Sequence, residues 1–257
     1  MPMNLAIDVG NTSAKAALFD KERLTRRIED LDESSLKVIL SQERIENMIV
    51  SSVNTYSEKL LSSCVPPLAS QHIPIFKLNY QLPLPIKILY QTPETLGMDR
   101  VAAVVGATLV CSNTNSLVID AGTCITFDFI DASKNYHGGA ITLGVAMRFK
   151  ALHEFTAKLP LFSKASFDAT ASFIGKSTES SITNGVVYGV AHEIKGMIEK
   201  YISTFGNMNV ILCGGDAPFL HENLKEKLAD ISTNVVIEKD LLFLGLNQIL
   251  LYNLNRN

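Results

Sequence analysis

The chain has 257 residues, 47% of them hydrophobic, which is enough for one large or two moderate globular cores. A formal charge of -3, with no basic block beyond Arg26-Arg27, argues against nucleic acid as the main partner. Cys64, Cys111, Cys124 and Cys213 lie far apart, with no CxxC pair and no His at ligand spacing. No apolar run reaches membrane-spanning length, and Met1 leads straight into an apolar segment carrying an Asp. A cytoplasmic protein without a zinc site, an export signal or a membrane span is expected.

The first elements are strands, Leu5 to Ile7 and Ala14 to Phe19, with a third strand expected over Leu24 to Asp30 and a polar helix over Glu33 to Arg44. A strand at Met48 to Val53 and a short helix at Ser57 to Cys64 follow, stopped by Pro66-Pro67. Ile73 to Leu78 and Ile86 to Tyr90 are β-type runs on either side of the proline-broken QLPLP, and a helix is expected over Met98 to Cys111. Polar residues Ser112 to Asn115 then separate two halves, predicted as lobes 1–114 and 115–257. The second half opens on strands again, with a third near Tyr136 to Ile141. Val187, Val190, Ile194, Met197, Ile198 and Tyr201 recur at helical spacing, which predicts a long amphipathic helix over roughly Ser180 to Thr204. Val210 to Cys213 and Val235 to Glu238 are further strands, and a C-terminal helix closes the chain.

The halves resemble each other in detail. Asn4 to Asp20 reads NLAIDVGNTSAKAALFD, and Ser116 to Asp131 reads SLVIDAGTCITFDFID. Each is an apolar strand ending in Asp (Asp8, Asp120), a tight turn through Gly (Gly10, Gly122), and a second apolar strand. In the first copy, Gly10 lets backbone N–H groups approach an anion, Asn11, Thr12 and Ser13 add donors, and Lys15 adds a cation. Asp8 suits a hydrated Mg2+, an ion that needs only one or two carboxylates. In the second copy Thr123 is placed to meet a phosphate. An Asn-Gly-type turn is also an ordinary hairpin, and it is the duplication that turns the reading toward ATP. Cys213-Gly214-Gly215-Asp216 lies between a strand and a helix, where bare glycines admit a flat base or ribose and Asp216 is expected to cap the helix.

These three signatures resemble the superfamily of acetate and sugar kinases, heat-shock ATPase chaperones and actin. Within it, Thr95-Leu96-Gly97-Met98-Asp99-Arg100, Gly138-Gly139-Ala140-Ile141, Ser177-Thr178-Glu179-Ser180 and Gly185-Val186-Val187-Tyr188-Gly189 resemble the type III pantothenate kinase family, in one order along essentially the whole chain. The resemblance implies an α/β fold of two ribonuclease-H-like lobes with an ATP cleft between them. It implies that Asp8, Val9, Gly10, Asn11, Thr12, Ser13, Ala14 and Lys15 form the ATP-phosphate loop, with Thr123 a further ATP contact. Asp99 would accept the proton of the pantothenate hydroxyl, and Tyr90, Gly97, Met98, Asp99, Arg100 and Thr178 would form the pantothenate pocket. Asp120 would hold a monovalent cation, K+ or NH4+, and the protein would be a homodimer with the helix from Ser180 as a contact element.

Taken alone, Tyr90 reads as a core strand aromatic, Asp99-Arg100 as a solvated helix pair and Cys124 as a small buried residue. His137 carries no assigned role. The family commonly has a proline two residues after the Ile of its Gly-Gly segment, where this chain has Leu143 before Gly144. The alternatives are a kinase of another small alcohol or acid, or a non-catalytic transcription accessory factor.

Overall fold

The computed structural model describes residues 2–10, 13–52, 73–225 and 233–256. In chain order its strands are β1 Met3–Val9, β2 Ala14–Asp20, β3 Arg23–Ile28, β4 Ile45–Ser52, β5 Ile75–Lys77, β6 Lys87–Ile88, β7 Ser116–Ala121, β8 Cys124–Ile130, β9 Asn135–Leu143, β10 Asn209–Cys213 and β11 Asn234–Ile237. Its helices are α1 Glu33–Gln42, α2 Met98–Val110, α3 Val145–Glu154, α4 Thr178–Phe205, α5 Ala217–Leu224 and α6 Leu241–Leu254. The helix expected at Ser57 to Cys64 lies outside the described residues.

The chain divides into two compact units, one of Met1–Asn113, Ile130–Gly138 and Asp240–Asn257, the other of Thr114–Phe129 and Gly139–Lys239. This differs from the two consecutive lobes expected at 1–114 and 115–257. The physical reason is α6, which has apolar residues on all sides and buries Phe243, Leu246, Ile249 and Leu250 in unit one.

Unit one is built on a sheet of order β3-β2-β1-β4-β5, antiparallel from β3 to β1 and parallel from β1 to β5. Strand β1 is apolar on both sides because both faces of the sheet are covered. Leu5, Ile7 and Val9 join Leu18, Met48 and Val50 against Leu36, Ile39 and Leu40 of α1. Helix α1 starts at a capping box, Asp32 Oδ1 accepting from Ser35 N–H at 2.7 Å while Ser35 Oγ accepts from Asp32 N–H at 2.9 Å. On the other face Ala6, Ala17, Phe19 and Ile49 meet Ala102 and Val105 of α2 together with α6. Those two helices touch backbone to backbone. A Cβ on Gly106 would stand 2.1 Å from the Leu241 carbonyl oxygen, and one on Gly245 would stand 1.8 Å from that of Ala102. A buried asparagine chain ties α6 to the sheet: Asn47 Nδ2 donates to Asn4 Oδ1, Asn4 Nδ2 to Asn247 Oδ1, and Asn247 Nδ2 to the Lys21 carbonyl, at 2.8 to 3.1 Å.

Strand β6 has only two residues, paired in parallel with Asn135 and Tyr136. The expected strand at Ile86 to Tyr90 is therefore cut short, and Tyr90 lies beyond it. In the turn before β9, Asp131 accepts from Asn135 and Ser133 N–H and meets His137 Nε2 at 2.8 Å. Burial works to raise the Asp131 pKa, but these hydrogen bonds outweigh it and hold the carboxyl down at about 2.

Unit two repeats the plan. The second sheet runs β11-β10-β7-β8-β9-β6, its first five strands in the order of unit one read from the other edge, with β10 parallel to both β7 and β11. Leu117, Ile119, Phe127 and Phe129 pack on Val187, Val190, Ile194 and Ile198, the stripe that predicts α4. Helix α4 begins at a Ser177–Ser180 capping box and stops at Gly206, whose φ of +78° an L side chain rarely adopts. No helix among the described residues is long and apolar enough to cross a membrane.

Gly245→Ala should destabilise the protein by on the order of 1–3 kcal/mol, the usual cost of overpacking, read as a lower urea midpoint. An unchanged midpoint would show that α2 and α6 can separate freely. Asp131 contributes stability that is complete above its unfolded pKa of roughly 4 and is lost as pH falls toward its folded value of about 2. Asp131→Asn should therefore flatten the acid limb of stability between those pH values while leaving the neutral range little steeper or shallower, measured by urea unfolding at stepped pH.

Candidate active site

The first hairpin closes where Gly10 N–H donates to the Ser13 carbonyl at 3.1 Å. Asp8 stands opposite Lys15 in the β1–β2 register, and its Oδ1 is buried. The pleat puts both residues on the face of Ala6 and Ala17, which α2 covers. Lys15 Nζ lies 3.3 Å from Glu29, a half-exposed ion pair of little net worth. Val9 and Ala14 direct their side chains into the core, so they can serve a ligand only through their backbone. Asn11 and Thr12 lie outside the described residues.

Three residues before Ala102 on the same helix stands Asp99. Gly97 is the N-cap of α2, and a Cβ there would lie 2.5 Å from Asp99 Oδ1, so the glycine lets the carboxylate fold back over the helix end. Asp99 Oδ1 also accepts from Arg100 N–H at 2.9 Å. Arg100 corrects the expectation of a solvated pair: it is only 7% exposed, and its guanidinium carbon lies 6.0 Å from the centre of the Tyr90 ring. Tyr90 in turn is half-buried rather than a core aromatic. Its ring edge fills the space beside Gly138, where a Cβ would come within 2.9 Å and φ is +96°. Met98 packs its side chain against the core between α2 and the sheet. Tyr90, Gly97, Met98, Asp99 and Arg100 are thus gathered in unit one, with Gly138 as their floor. His137 serves structure, through Asp131.

In unit two, the second hairpin closes where Gly122 N–H donates to the Cys124 carbonyl at 2.9 Å, leaving Thr123 exposed at its tip. Cys124 is exposed too, contrary to expectation, because it begins β8 at the hairpin mouth. Gly144 supports this turn: its N–H donates to the Thr123 carbonyl at 3.0 Å, and a Cβ would lie 2.2 Å from the Gly122 oxygen. Close backbone contact thus holds the loop that lacks the family's usual proline.

Gly214, at φ +88°, leaves room for Asp120, whose Oδ1 lies 2.3 Å from where a Cβ would stand. The glycine expected to admit a base therefore accommodates a carboxylate, while Gly215 borders open space. Asp216 does not cap α5 through its side chain; it pairs with Lys164, and its N–H donates to the Ala121 carbonyl at 2.9 Å. Burial, followed by the negative charges of Asp120, Asp128 and Glu238, pushes the Cys213 thiol well up, so it stays neutral. Thr178 is exposed in the first turn of α4, on an open groove of about 1210 Å3 that Arg148, Phe155 and Ile182 also line. Arg148 pairs with Glu193 there. The second-half residues missed in the sequence are Gly144 and Lys164, whose roles depend on partners far off in the chain.

Among the described residues no three His, Cys, Asp or Glu side chains gather into a metal cage. Mg2+ keeps most of its waters and needs one or two carboxylates, which suits the carboxylate of Asp8 at the end of β1, with one oxygen buried.

The type III pantothenate kinase family model matches residues 4–200. A type III pantothenate kinase of Bacteroides fragilis is 40% identical over 256 residues, covering 99% of this chain and 100% of its own. Among solved structures, a candidate Baf family transcriptional activator of Campylobacter jejuni aligns with TM-score 0.60 at 22% identity over 98% of this chain and 99% of its own. A ROK hexokinase of Thermus thermophilus aligns with TM-score 0.53 at 13% identity over 96% and 98%. At these identities the two structures bear on the fold alone. With a family model spanning most of its length and a full-length relative at that identity, the chain belongs to the type III pantothenate kinase family.

Proposed function

We propose that the protein transfers the terminal phosphoryl group of ATP to the primary hydroxyl of pantothenate, giving 4'-phosphopantothenate and ADP, the entry step of coenzyme A synthesis. The observation that carries the reading is the cluster of Asp99, Arg100 and Tyr90 at the start of α2, in a chain whose family is established. In this reading the pantothenate oxygen attacks the γ-phosphorus, its proton passes to Asp99, and the bond from that phosphorus to the ADP oxygen breaks. A positioned base contributes a factor of roughly 10²–10⁴, and fixed charge and alignment supply most of the rest.

Arg100 offers a buried positive charge to an anionic substrate, and its contact with Tyr90 and the rigid floor at Gly138 limits its motion. The hairpin amides from Asp8 to Lys15 bind ATP phosphates, joined by Thr123. Asp8 would hold Mg2+, which when bound neutralises phosphate charge. Asp120, backed by Gly214, would hold the monovalent cation, K+ or NH4+. Thr178 is assigned to the pantothenate pocket on the family pattern alone.

A homodimer is part of the same proposal. Helix α4 buries its apolar stripe within unit two and keeps its other faces for contact, and further apolar surface is at hand: Phe155 at the end of α3 is 85% exposed, and Leu161, Phe173 and Ile174 are exposed as well. Apolar groups of this size in solvent mark association surfaces. Free thiols at Cys111, Cys124 and Cys213 are compatible with a cytoplasmic location.

Asp99→Asn should lower kcat by about 10²-fold or more with ATP affinity nearly unchanged, followed by ADP release with mass detection of the product. Near-normal turnover would remove Asp99 from the base role. Replacing K+ by Na+ should reduce turnover in wild type, and an Asp120→Asn variant should lose that difference. Light scattering should give a dimer mass, and Phe155→Ser should shift it toward monomer; a monomeric wild type would overturn the association surface.

A further inference from the structure

Both units end the first strand of their hairpin on a carboxylate, and in both the residue opposite it on the neighbouring parallel strand carries a small proton donor. Asp8 stands opposite Ser51, and Asp120 stands opposite Cys213. The pleat fixes which way the first pair points. Ala6 and Ile49, paired two residues earlier, both lie in the core under α2 and α6, so Asp8 and Ser51 project to that same face. Lys15 shares it, being opposite Asp8 on the other side. The position combines a carboxylate, an ammonium and a hydroxyl directly beyond the apolar pair Ala6 and Ile49.

Ser51 is 0% exposed, and its Oγ has no hydrogen-bond partner among the described residues. Burying a hydroxyl without a partner costs about 1–3 kcal/mol, and native structures seldom tolerate it without a reason. If the site asked only for a small strand residue, alanine would occupy the same space without that cost. Burial alone does not mark Ser51 out, since Ser116 is equally buried and unpartnered at the start of β7. The register beside Asp8 does. The second unit adds an independent instance, with Cys213 buried in the equivalent place opposite Asp120.

We propose that Ser51 is a positioning residue for Asp8: on binding of the metal–nucleotide, its hydroxyl turns to donate to the Asp8 carboxylate and fixes the orientation in which that group meets the ligand. The proposal rests on the reading of Asp8 given above. A hydroxyl without a partner among the described residues suits this use, because it forms its hydrogen bond in the loaded state, and the gain then appears as ligand affinity.

The test is calorimetric titration of Mn2+ with ADP into wild type, Ser51→Ala and Ser51→Thr, together with kcat, pantothenate KM and thermal midpoint. Ser51→Ala should weaken Mn2+–ADP binding and lower kcat by about 10-fold or more, as loss of a partner of a ligating group does. Its pantothenate KM should stay unchanged and its thermal midpoint should be equal or higher, since an unpaired hydroxyl has been removed. Ser51→Thr, which keeps the hydroxyl, should recover most of the affinity. Wild-type affinity and kcat in Ser51→Ala would overturn the proposal, as would a lowered midpoint with unchanged affinity, which is the signature of packing alone. If wild type binds Mn2+–ADP but does not phosphorylate pantothenate, the substrate reading fails, and the affinity ratio of Ser51→Ala to wild type still decides the role of Ser51. If wild type binds no Mn2+–ADP, the reading of Asp8 and the proposal fall together.

Discussion

A carboxylate at the end of a strand that is buried on both faces is the constraint around which each unit is arranged. Leu5 to Ile7 can lie between α1 on one side and α2 with α6 on the other only because every side chain there is apolar, and the row ends at Asp8. The charge needs polar company at once, and the turn through Gly10 and Ser13 brings backbone donors and Lys15 to the same end of the sheet. Asp120 meets the same demand by different means, with Gly214 giving up its side chain so that the carboxylate can rest against backbone. The second arrangement closes tightly around the acid.

The helices follow from the same constraint. On the side of the sheet where the acid emerges, Ala6 and Ala17 are small, and helix α2 comes close. Its first turn carries Asp99, and Gly97 gives that carboxylate the freedom to bend back over the helix end. Arg100 is then drawn under Tyr90 instead of into solvent. A surface-looking dipeptide becomes a buried charge because its helix begins beside a tight strand end and a glycine floor.

Much of this was legible in the chain. The duplicated hairpins, the third strands, the stripe from Val187 to Ile198 and the turn at Gly214 all depend on local pattern, and the structure has them where the pattern places them. What escaped the sequence depends on distant partners. Asp216 reads as a cap until Lys164 is seen beside it, Gly214 reads as a ligand contact until Asp120 occupies its space, and Tyr90 reads as core until β6 is seen to end at Ile88 and the ring to lie against Gly138. Gly106 and Gly245 look like unremarkable helical glycines, and only their mutual approach explains them. Asp8, Asp99 and Asp120 could be nominated from motif and family, whereas Ser51 could be found only from strand register.

The return of α6 to unit one has a consequence for the order of events during synthesis. Thr114–Phe129 and Gly139–Lys239, which make up unit two, are translated before Asp240–Leu254, so that unit can assemble its core while the chain is still attached to the ribosome. Unit one, although β1 precedes unit two in the chain, has Ala6, Phe19 and Ile49 waiting for Phe243, Leu246 and Leu250, which follow it. The sheet of β1 to β5 is thus completed by α6, and the unit whose strands are made first is the later of the two to mature.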